Sequence, residues 1–276
     1  AGCTASTSGF VYQSYDPLLV SLNTTVCQGQ SVELTVNNAV AVSYIWSANT
    51  GGATTSSVIF YPSYPSSTYR VTVTNDIGCT SEQEVVIDVN QKPTITLTGP
   101  NSICAGFTTS FTTSGSGTWQ SINPGVATIN SLGVVTGISS GNARFIFTYT
   151  TTNCSSDTSV YISVNDLPIT SIQGPPFICI GQTTAVQPSS GGVWVSNNPG
   201  VASVDNSGLI SGLSIGNATF TFTDTSTGCS SDLSTVVAVQ SSITPDISGP
   251  EDVCVGSNIF LTPDIPGGIW TSSDPS

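Results

Sequence analysis

The sequence predicts an all-β chain built from tandem β-sandwich repeats of about 75 residues. Cys104, Cys179 and Cys254 follow one another at intervals of 75 residues, and each closes a G-P-x-x-x-C phrase. Short alternating or β-branched runs fill the intervals, and turn sequences such as Asn-Pro-Gly separate them. No window shows a helical period with caps. A regular array of strands is the fold that satisfies all of these observations.

The repeats are internal duplications. The segments from Cys104 to Val164 and from Cys179 to Val239 align without a gap and share 30 identities in 61 positions. An earlier unit is a looser relative, with Cys27 and Cys79 set 52 residues apart and a strongly alternating strand, TYRVTVTNDIGC, before the second cysteine. We therefore expect the end of a preceding repeat, three full repeats and the beginning of another, at residues 1–16, 17–91, 92–166, 167–243 and 244–276.

The cysteines predict one disulfide in each repeat. Metal binding is the rival interpretation of cysteine, but the chain has no CxxC pair and no His. Disulfides indicate an oxidising, extracellular compartment. A bridge that closes a 50-residue loop would add on the order of 4 kcal/mol to a domain this small. The pairs expected are Cys27–Cys79, Cys104–Cys154 and Cys179–Cys229, whereas the partners of Cys3 and Cys254 are expected to lie outside the sequence.

Each repeat carries a tryptophan between its cysteines. Seven short strands around such a residue describe a compact immunoglobulin-like sandwich with the tryptophan in its core. The linkers are short and end in proline, which restricts φ, so the repeats are expected to form a linear rod. The predicted core residues are Trp46, Trp119, Trp194 and Trp270.

The phrase W-x-S-x-N-P-G-V-A-x-(I/V), followed by G-x-(I/V)-(T/S)-G and G-N-A-x-F, resembles the bacterial immunoglobulin-like group-2 domain. It runs from Trp119 to Phe145 and from Trp194 to Phe220. The first full repeat is similar to the PKD-like repeats of secreted Bacteroidota proteins. Alternation of such repeats resembles the very large surface adhesins of that phylum, including the gliding-motility adhesin exported by the type IX secretion system. These families have no catalytic residues, so the resemblance implies a passive surface role.

Composition excludes several functions. Lys and Arg total 3 against 16 Asp and Glu, a net charge of −13, which disfavours binding to nucleic acid or to anionic membranes. No apolar run is long enough to insert into a membrane as a helix. Without His, the chain cannot form a Ser-His-Asp or Cys-His arrangement, and we expect it not to be an enzyme. Glu82 and Glu84, on one strand face, are interpreted as a solvated edge.

We expect no cofactor, although calcium remains an alternative. Asp157 and Asp232 lie just after the second cysteines and Asp166 lies in a linker, where oxygen ligands could stiffen a junction. The candidate ligand surface consists of Tyr61, Tyr64 and Tyr69, which lie in a segment that breaks the repeat pattern.

The leading hypothesis is a secreted, extracellular stalk of a cell-surface adhesin. Its partners would be neighbouring repeats and, through other regions, the secretion or motility machinery and an external surface or polysaccharide. Alternatives are a carbohydrate-binding accessory region of a secreted enzyme and a filament subunit.

Overall fold

The computed structural model describes residues 18–20, 25–38, 41–242 and 245–274. They divide into two compact units, residues 1–165 and 166–276. The fold is all-β, as predicted, and the only regular helix in the described residues is a three-residue 3₁₀ turn at Ala48–Thr50.

The first repeat is a sandwich of two sheets. One sheet has the order β1-β3-β5 and the other the order β2-β7-β6-β4. The strands are β1 (Leu18–Val20), β2 (Thr25–Cys27), β3 (Val32–Asn37), β4 (Ala41–Trp46), β5 (Ser57–Phe60), β6 (Ser66–Asn75) and β7 (Thr80–Asn90). The alternating TYRVTVTN run forms most of β6, which pairs with β7 as a long hairpin.

The second repeat contains shorter strands. Its sheets have the orders β12-β13-β10-β8, β11-β15 and β14-β16-β9. The strands are β8 (Ile95–Leu97), β9 (Ser102–Cys104), β10 (Thr108–Thr113), β11 (Gly117–Ser121), β12 (Ala127–Ile129), β13 (Val134–Gly137), β14 (Gly141–Ala143), β15 (Phe145–Tyr149) and β16 (Ile162–Asn165).

The third repeat reproduces the second strand for strand. Its sheets have the orders β17-β19-β22-β21, β20-β24 and β18-β25-β23. The strands are β17 (Ser171–Ile172), β18 (Phe177–Cys179), β19 (Thr183–Gln187), β20 (Gly192–Ser196), β21 (Ala202–Val204), β22 (Leu209–Gly212), β23 (Gly216–Ala218), β24 (Phe220–Asp224) and β25 (Val237–Gln240).

Each full repeat has its own hydrophobic core. The three clusters of buried residues draw their members from residues 26–89, 103–164 and 178–239, so each lies inside one predicted repeat. Trp46 and Trp194 are buried in the first and third cores, and their indole N–H groups donate to the carbonyl oxygens of Thr55 and Pro188, both at 2.8 Å. Trp119 is half-buried and packs against the second core. These three placements agree with the predicted core role.

The prediction for Trp270 is wrong. This residue is 53% exposed in a segment whose only described strands are β26 (Ile247–Ser248) and β27 (Thr262–Pro263). In the second and third repeats the tryptophan strand pairs with the strand that begins at Phe145 or Phe220, 26 residues further on. Among the described residues, no strand pairs with the segment around Trp270, so no second sheet covers its indole.

The glycine of the G-P phrase has a packing role. A Cβ atom placed on Gly99 would lie 2.5 Å from the Thr109 hydroxyl oxygen, and one on Gly174 would lie 2.6 Å from that of Thr184. Thr109 and Thr184 are themselves buried. Only glycine therefore allows the chain to pass over β10 and β19 at this point.

Candidate functional site: the junction of the first two repeats

The first and second cysteines of a repeat lie at opposite ends of its sandwich. β2 runs parallel to β7 and places Cys27 opposite Asn90, at the end where the chain leaves the first repeat. Cys79 lies in the turn just before β7, where its carbonyl oxygen accepts a hydrogen bond from the Asn75 N–H at 3.0 Å. At ~3.3 Å per residue, the length of β7 separates the two by roughly 35 Å. A disulfide requires Cα atoms about 4.4–6.8 Å apart.

The same placement recurs in the later repeats. Parallel pairing sets Cys104 opposite Asn165 and Cys179 opposite Gln240, again at the exit of each repeat. The second cysteines lie in turns after β15 and β24, where the carbonyl oxygens of Cys154 and Cys229 accept hydrogen bonds from Tyr149 and Asp224 at 3.0 and 2.9 Å. We call Cys27, Cys104 and Cys179 the exit cysteines, and Cys79, Cys154 and Cys229 the entry cysteines.

Disulfide pairing within repeats is wrong for this structure. Cys27 is bonded to Cys154 across 127 residues, with a Cα–Cα distance of 5.5 Å, so the bridge joins the first repeat to the second. Cys104 and Cys229 each take part in a disulfide, whereas Cys79, Cys179 and Cys254 are free thiols. Cys3 lies outside the described residues. The expected pairs Cys27–Cys79, Cys104–Cys154 and Cys179–Cys229 fail because each would have to span the length of a sandwich.

An ion pair lies beside this disulfide. Lys92, in the linker after β7, donates to Asp157 Oδ1 at 2.8 Å. The two residues border a cleft of about 510 Å³ between the linker and the loop that follows Cys154. Asp157 is exposed, so this pair contributes little free energy. Its geometry shows that the loop of the second repeat reaches the exit end of the first.

Two buried serines hold that loop in place. The Ser156 and Ser159 hydroxyl oxygens accept hydrogen bonds from the backbone N–H groups of Phe147 and Phe145, at 3.1 and 3.0 Å. The serine N–H groups return bonds to the same phenylalanine carbonyls, at 2.8 and 2.9 Å. In a regular strand pair, backbone carbonyls would accept the hydrogen bonds from these phenylalanine N–H groups. Here the serine hydroxyls accept them instead along β15. We call this pair the serine clamp.

The third repeat has the same clamp, formed by Ser231 and Ser234 on Phe222 and Phe220. The sequence interpretation did not single out these serines, and β16 begins only after the clamp, at Ile162. The identical spacing of serines in CSSDTS and CSSDLS was the available signal.

The aromatic segment of the first repeat divides between core and surface. Tyr69 is 2% exposed and its ring centroid lies 4.1 Å from that of Phe60, so its assignment to a ligand surface is wrong. It lies on the inward face of β6, where alternation fixes its direction. Tyr61 and Tyr64 are 72% and 54% exposed.

Arg70 is the centre of an ion-pair cluster on the surface of the first repeat. Glu82 and Glu84 are exposed and both bind Arg70 on the neighbouring strand, with Arg70 Nε donating to Glu84 at 2.9 Å and Nη1 to Glu82 at 3.2 Å. The hydrogen bond and charge of Glu84, followed by the charge of Glu82, raise the pKa of Arg70. Arg70 offsets part of the negative charge on this face of β7, and the exposure of Glu82 and Glu84 agrees with the expected solvation.

Two aspartates of the third repeat anchor turns. Ser226 and Thr227 donate to Asp224, and the Ser226 hydroxyl is the largest cause of the lowered pKa of this carboxyl. The Ser207 hydroxyl and the Leu209 N–H lower the pKa of Asp205 in the same way. Both groups are local structural anchors at the surface.

The described residues contain no group of three or more His, Cys, Asp or Glu side chains close enough to hold a metal ion. Asp157, an expected calcium candidate, pairs with Lys92, and Asp232 is exposed. Within the same residues, no helix is long and apolar enough to cross a membrane.

Comparison with known proteins supports the domain type. Residues 180–233 match the model of the bacterial Ig-like domain (group 2). This segment contains the Trp194–Phe220 phrase of the third repeat and Ser231, the first serine of its clamp. A search of curated proteins found no match.

Solved structures that match this chain include an intimin fragment, invasin and a phage capsid protein. A 282-residue intimin fragment shares 14% identity at a TM-score of 0.37, covering 58% of this chain and 67% of the fragment. Invasin, a bacterial integrin-binding protein, shares 14% identity at 0.35, covering 82% of this chain and 59% of invasin. Three domains of the bacteriophage RB49 outer capsid protein Hoc share 10% at 0.31, covering 83% and 100%. Likeness at this level does not assign a function.

Proposed function

We propose that the chain is a non-catalytic stalk segment of a very large secreted cell-surface adhesin, which gives reach and mechanical strength for attachment. The observation that supports this most strongly is the covalent bond between the exit of one sandwich and the entry end of the next. A protein that only needed stable domains would gain more directly from bridges inside each core. A bond between domains serves a chain that must keep its length under load.

Other features of the described residues fit a passive role. Each full repeat has a closed core of its own. Glu82, Glu84 and Asp157 bind protein cations, and Asp205 and Asp224 accept hydrogen bonds from turn N–H groups. The cleft at the junction contains an ion pair but no nucleophile with an adjacent base. In this proposal the immediate partners are neighbouring repeats. The secretion or gliding machinery and the external surface or polysaccharide are bound by other regions, and no cofactor is required.

The location proposed is extracellular. Disulfides persist in oxidising compartments, and the chain contains bonded cysteines in both of its compact units. Gliding motility and export by the type IX system are the more specific form of the proposal. They rest on resemblance of the repeats to the surface adhesins of Bacteroidota.

A replacement experiment in the producing cell tests the stalk role. One strain lacks the region that encodes residues 17–243, and a second strain carries unrelated immunoglobulin-like repeats of equal length in its place. A stalk predicts that attachment falls in the deletion strain and returns in the replacement strain. Attachment that stays lost in the replacement strain would show that these repeats bind the target themselves.

Carbohydrate binding is the second candidate, favoured by the exposed Tyr61 and Tyr64 side chains. Planar aromatic side chains at a surface are suited to stack on sugar rings. A glycan array probed with the chain and with its Tyr61→Ala, Tyr64→Ala variant tests this role. Binding that the double variant abolishes would favour it, and equal signals from both chains would remove it.

A further inference from the structure

We propose that the disulfides of this chain form a staggered ladder, in which the exit cysteine of each repeat bonds to the entry cysteine of the repeat that follows. The observed Cys27–Cys154 bond is the first step of this ladder. The rule does not depend on the adhesin role, because it follows from the position of the two cysteines in the sandwich.

Repeat geometry supplies the first argument. Exit cysteines are fixed by the parallel pairing of β2, β9 and β18 with the last strand of their repeats. In the second repeat, the Thr150 N–H donates to Ser116 O at 3.2 Å, close in sequence to Thr113, which β10 pairs with Ile95 at the start of the repeat. The turn that carries Cys154 therefore lies at the entry end. In the first and second repeats the exit end meets the entry end, so the two cysteines that meet there belong to different repeats.

The repeat period supplies the second argument. Cys104 and Cys229 occupy the same positions as Cys27 and Cys154, one repeat further along the sequence, and each is disulfide-bonded. The free thiols also follow the rule. In any longer array, Cys79 would be assigned to the exit cysteine of a preceding repeat, and Cys179 and Cys254 to entry cysteines of following ones.

The burial of the entry cysteines supplies the third argument. Cys154 and Cys229 are fully buried, whereas Cys79 is exposed in its hairpin turn. A thiol exposed on an extracellular domain is open to oxidation. A bond to a neighbouring repeat would convert the exposed Cys79 thiol into a disulfide, as it does for Cys154.

The Cys27–Cys154 bond has a mechanical consequence. Tension that enters the first repeat ahead of Cys27 passes through the sulfur–sulfur bond to Cys154 and leaves along residues 155–165. When this bond alone links the two repeats, residues 28–153, which include most of both cores, are off the load-bearing path. Bridges inside each repeat would instead leave the segment from Cys79 to Cys104 under load, and β7 would be peeled away.

Each step forms one S–S bond by thiol–disulfide exchange. The two thiols give up two protons and two electrons, and an oxidised small-molecule disulfide accepts them and is reduced to two thiols. Oxidised glutathione is sufficient for this purpose in a refolding experiment. No protein catalyst is required by the proposal.

Peptide mapping of the native chain tests the ladder without any substitution. A chymotryptic digest made without reduction should contain a linked pair of peptides with Cys27 and Cys154. Repeat equivalence predicts a second linked pair with Cys104 and Cys229. Linked peptides that join Cys27 to Cys79, or Cys104 to Cys154, would overturn the proposal.

Two chains with two cysteines each provide the matched control. The first keeps Cys27 and Cys154, the second keeps Cys27 and Cys79, and every other cysteine is replaced by serine. After refolding in a glutathione buffer, the first should lose both free thiols and yield the linked peptide, whereas the second should retain both. A second chain that closes its disulfide, or a folded first chain that does not, would contradict the ladder.

Discussion

The first repeat and the second differ in how the chain continues after the entry cysteine. In the first, Thr80–Asn90 is one continuous strand that pairs with β6 along the whole hairpin. In the second, the chain runs as a loop that the serine clamp holds against β15, and a strand resumes only at Ile162. The loop buries Cys154 and carries Asp157 to Lys92, whereas the hairpin leaves Cys79 exposed. The segment that follows the entry cysteine can thus form a strand that pairs within its own repeat, or a loop that contacts the neighbouring repeat.

The tryptophan core is a feature that the two types of repeat share, and its removal should have the largest effect. Trp46→Ala and Trp194→Ala should each lower the free energy of unfolding of their own repeat by about 3–5 kcal/mol, because each deletes a buried ring. Hydrogen exchange by mass spectrometry reports each repeat through its own peptides. Trp270→Ala is the control, since this exposed indole should change stability by less than ~0.5 kcal/mol. A large loss in only one of the two repeats would show that the cores are not equivalent.

The serine clamp is present in the second and third repeats and distinguishes them from the first repeat. Ser234→Ala should lower the stability of the third repeat by about 1–3 kcal/mol, because the buried Phe220 N–H loses its acceptor. Exchange of that amide should accelerate more than exchange elsewhere in the repeat. Ser67→Ala is the matched control in the first repeat, where an exposed hydroxyl bonds Ser63 O at 3.3 Å. Unchanged protection at Phe220 would contradict the clamp.

The third prediction is that the third repeat loses stability at low pH, and this is the smallest of the expected effects. Asp224 and Asp205 have folded pKa values below the ordinary 3.8 because hydroxyl and backbone donors stabilise their charged forms. Their contribution is present above the unfolded pKa and is lost as the pH falls through the lower folded pKa, since the unfolded chain binds protons first. The first repeat has neutral Asn75 at the corresponding turn, where its side-chain oxygen accepts from Ile77 and Cys79.

Urea midpoints of the third repeat at pH 6 and pH 2.5 test this contribution. The midpoint should fall at the lower pH in the parent chain, and it should fall less in the Asp205→Asn, Asp224→Asn variant. The midpoint of the first repeat provides an internal reference in both chains. An equal fall in the parent and the variant would rule out the two carboxylates as the source.

The sequence predicted the fold well because hydrophobic alternation and an internal repeat report directly on strands. It predicted Trp46 and Trp194 correctly, since a tryptophan at one place in every repeat has to be covered by both sheets. It failed for Trp270, which is exposed because no described strand pairs with its segment. It also missed β9 and β14, because two- or three-residue pairings leave almost no pattern.

The spacing of the cysteines in the sequence could not predict which of them are bonded to each other. In a regular array, the distance from Cys27 to Cys154 is as periodic as that from Cys27 to Cys79, so both pairings fit the count. The parallel register of β2 on β7 decides between them, and it places Cys27 opposite Asn90. Parallel pairing of a three-residue strand has no sequence signature, so only the structure could show it.

Single-molecule stretching of the chain that retains only Cys27 and Cys154 tests the load-bearing bond most directly. At ~3.6 Å per extended residue, the oxidised molecule should end about 450 Å shorter than the reduced one, because the 127-residue loop never extends. A chain that retains only Cys104 and Cys154 should reach full length in both states. Equal lengths for the first chain, or about 180 Å hidden in the second, would contradict a covalent path from repeat to repeat.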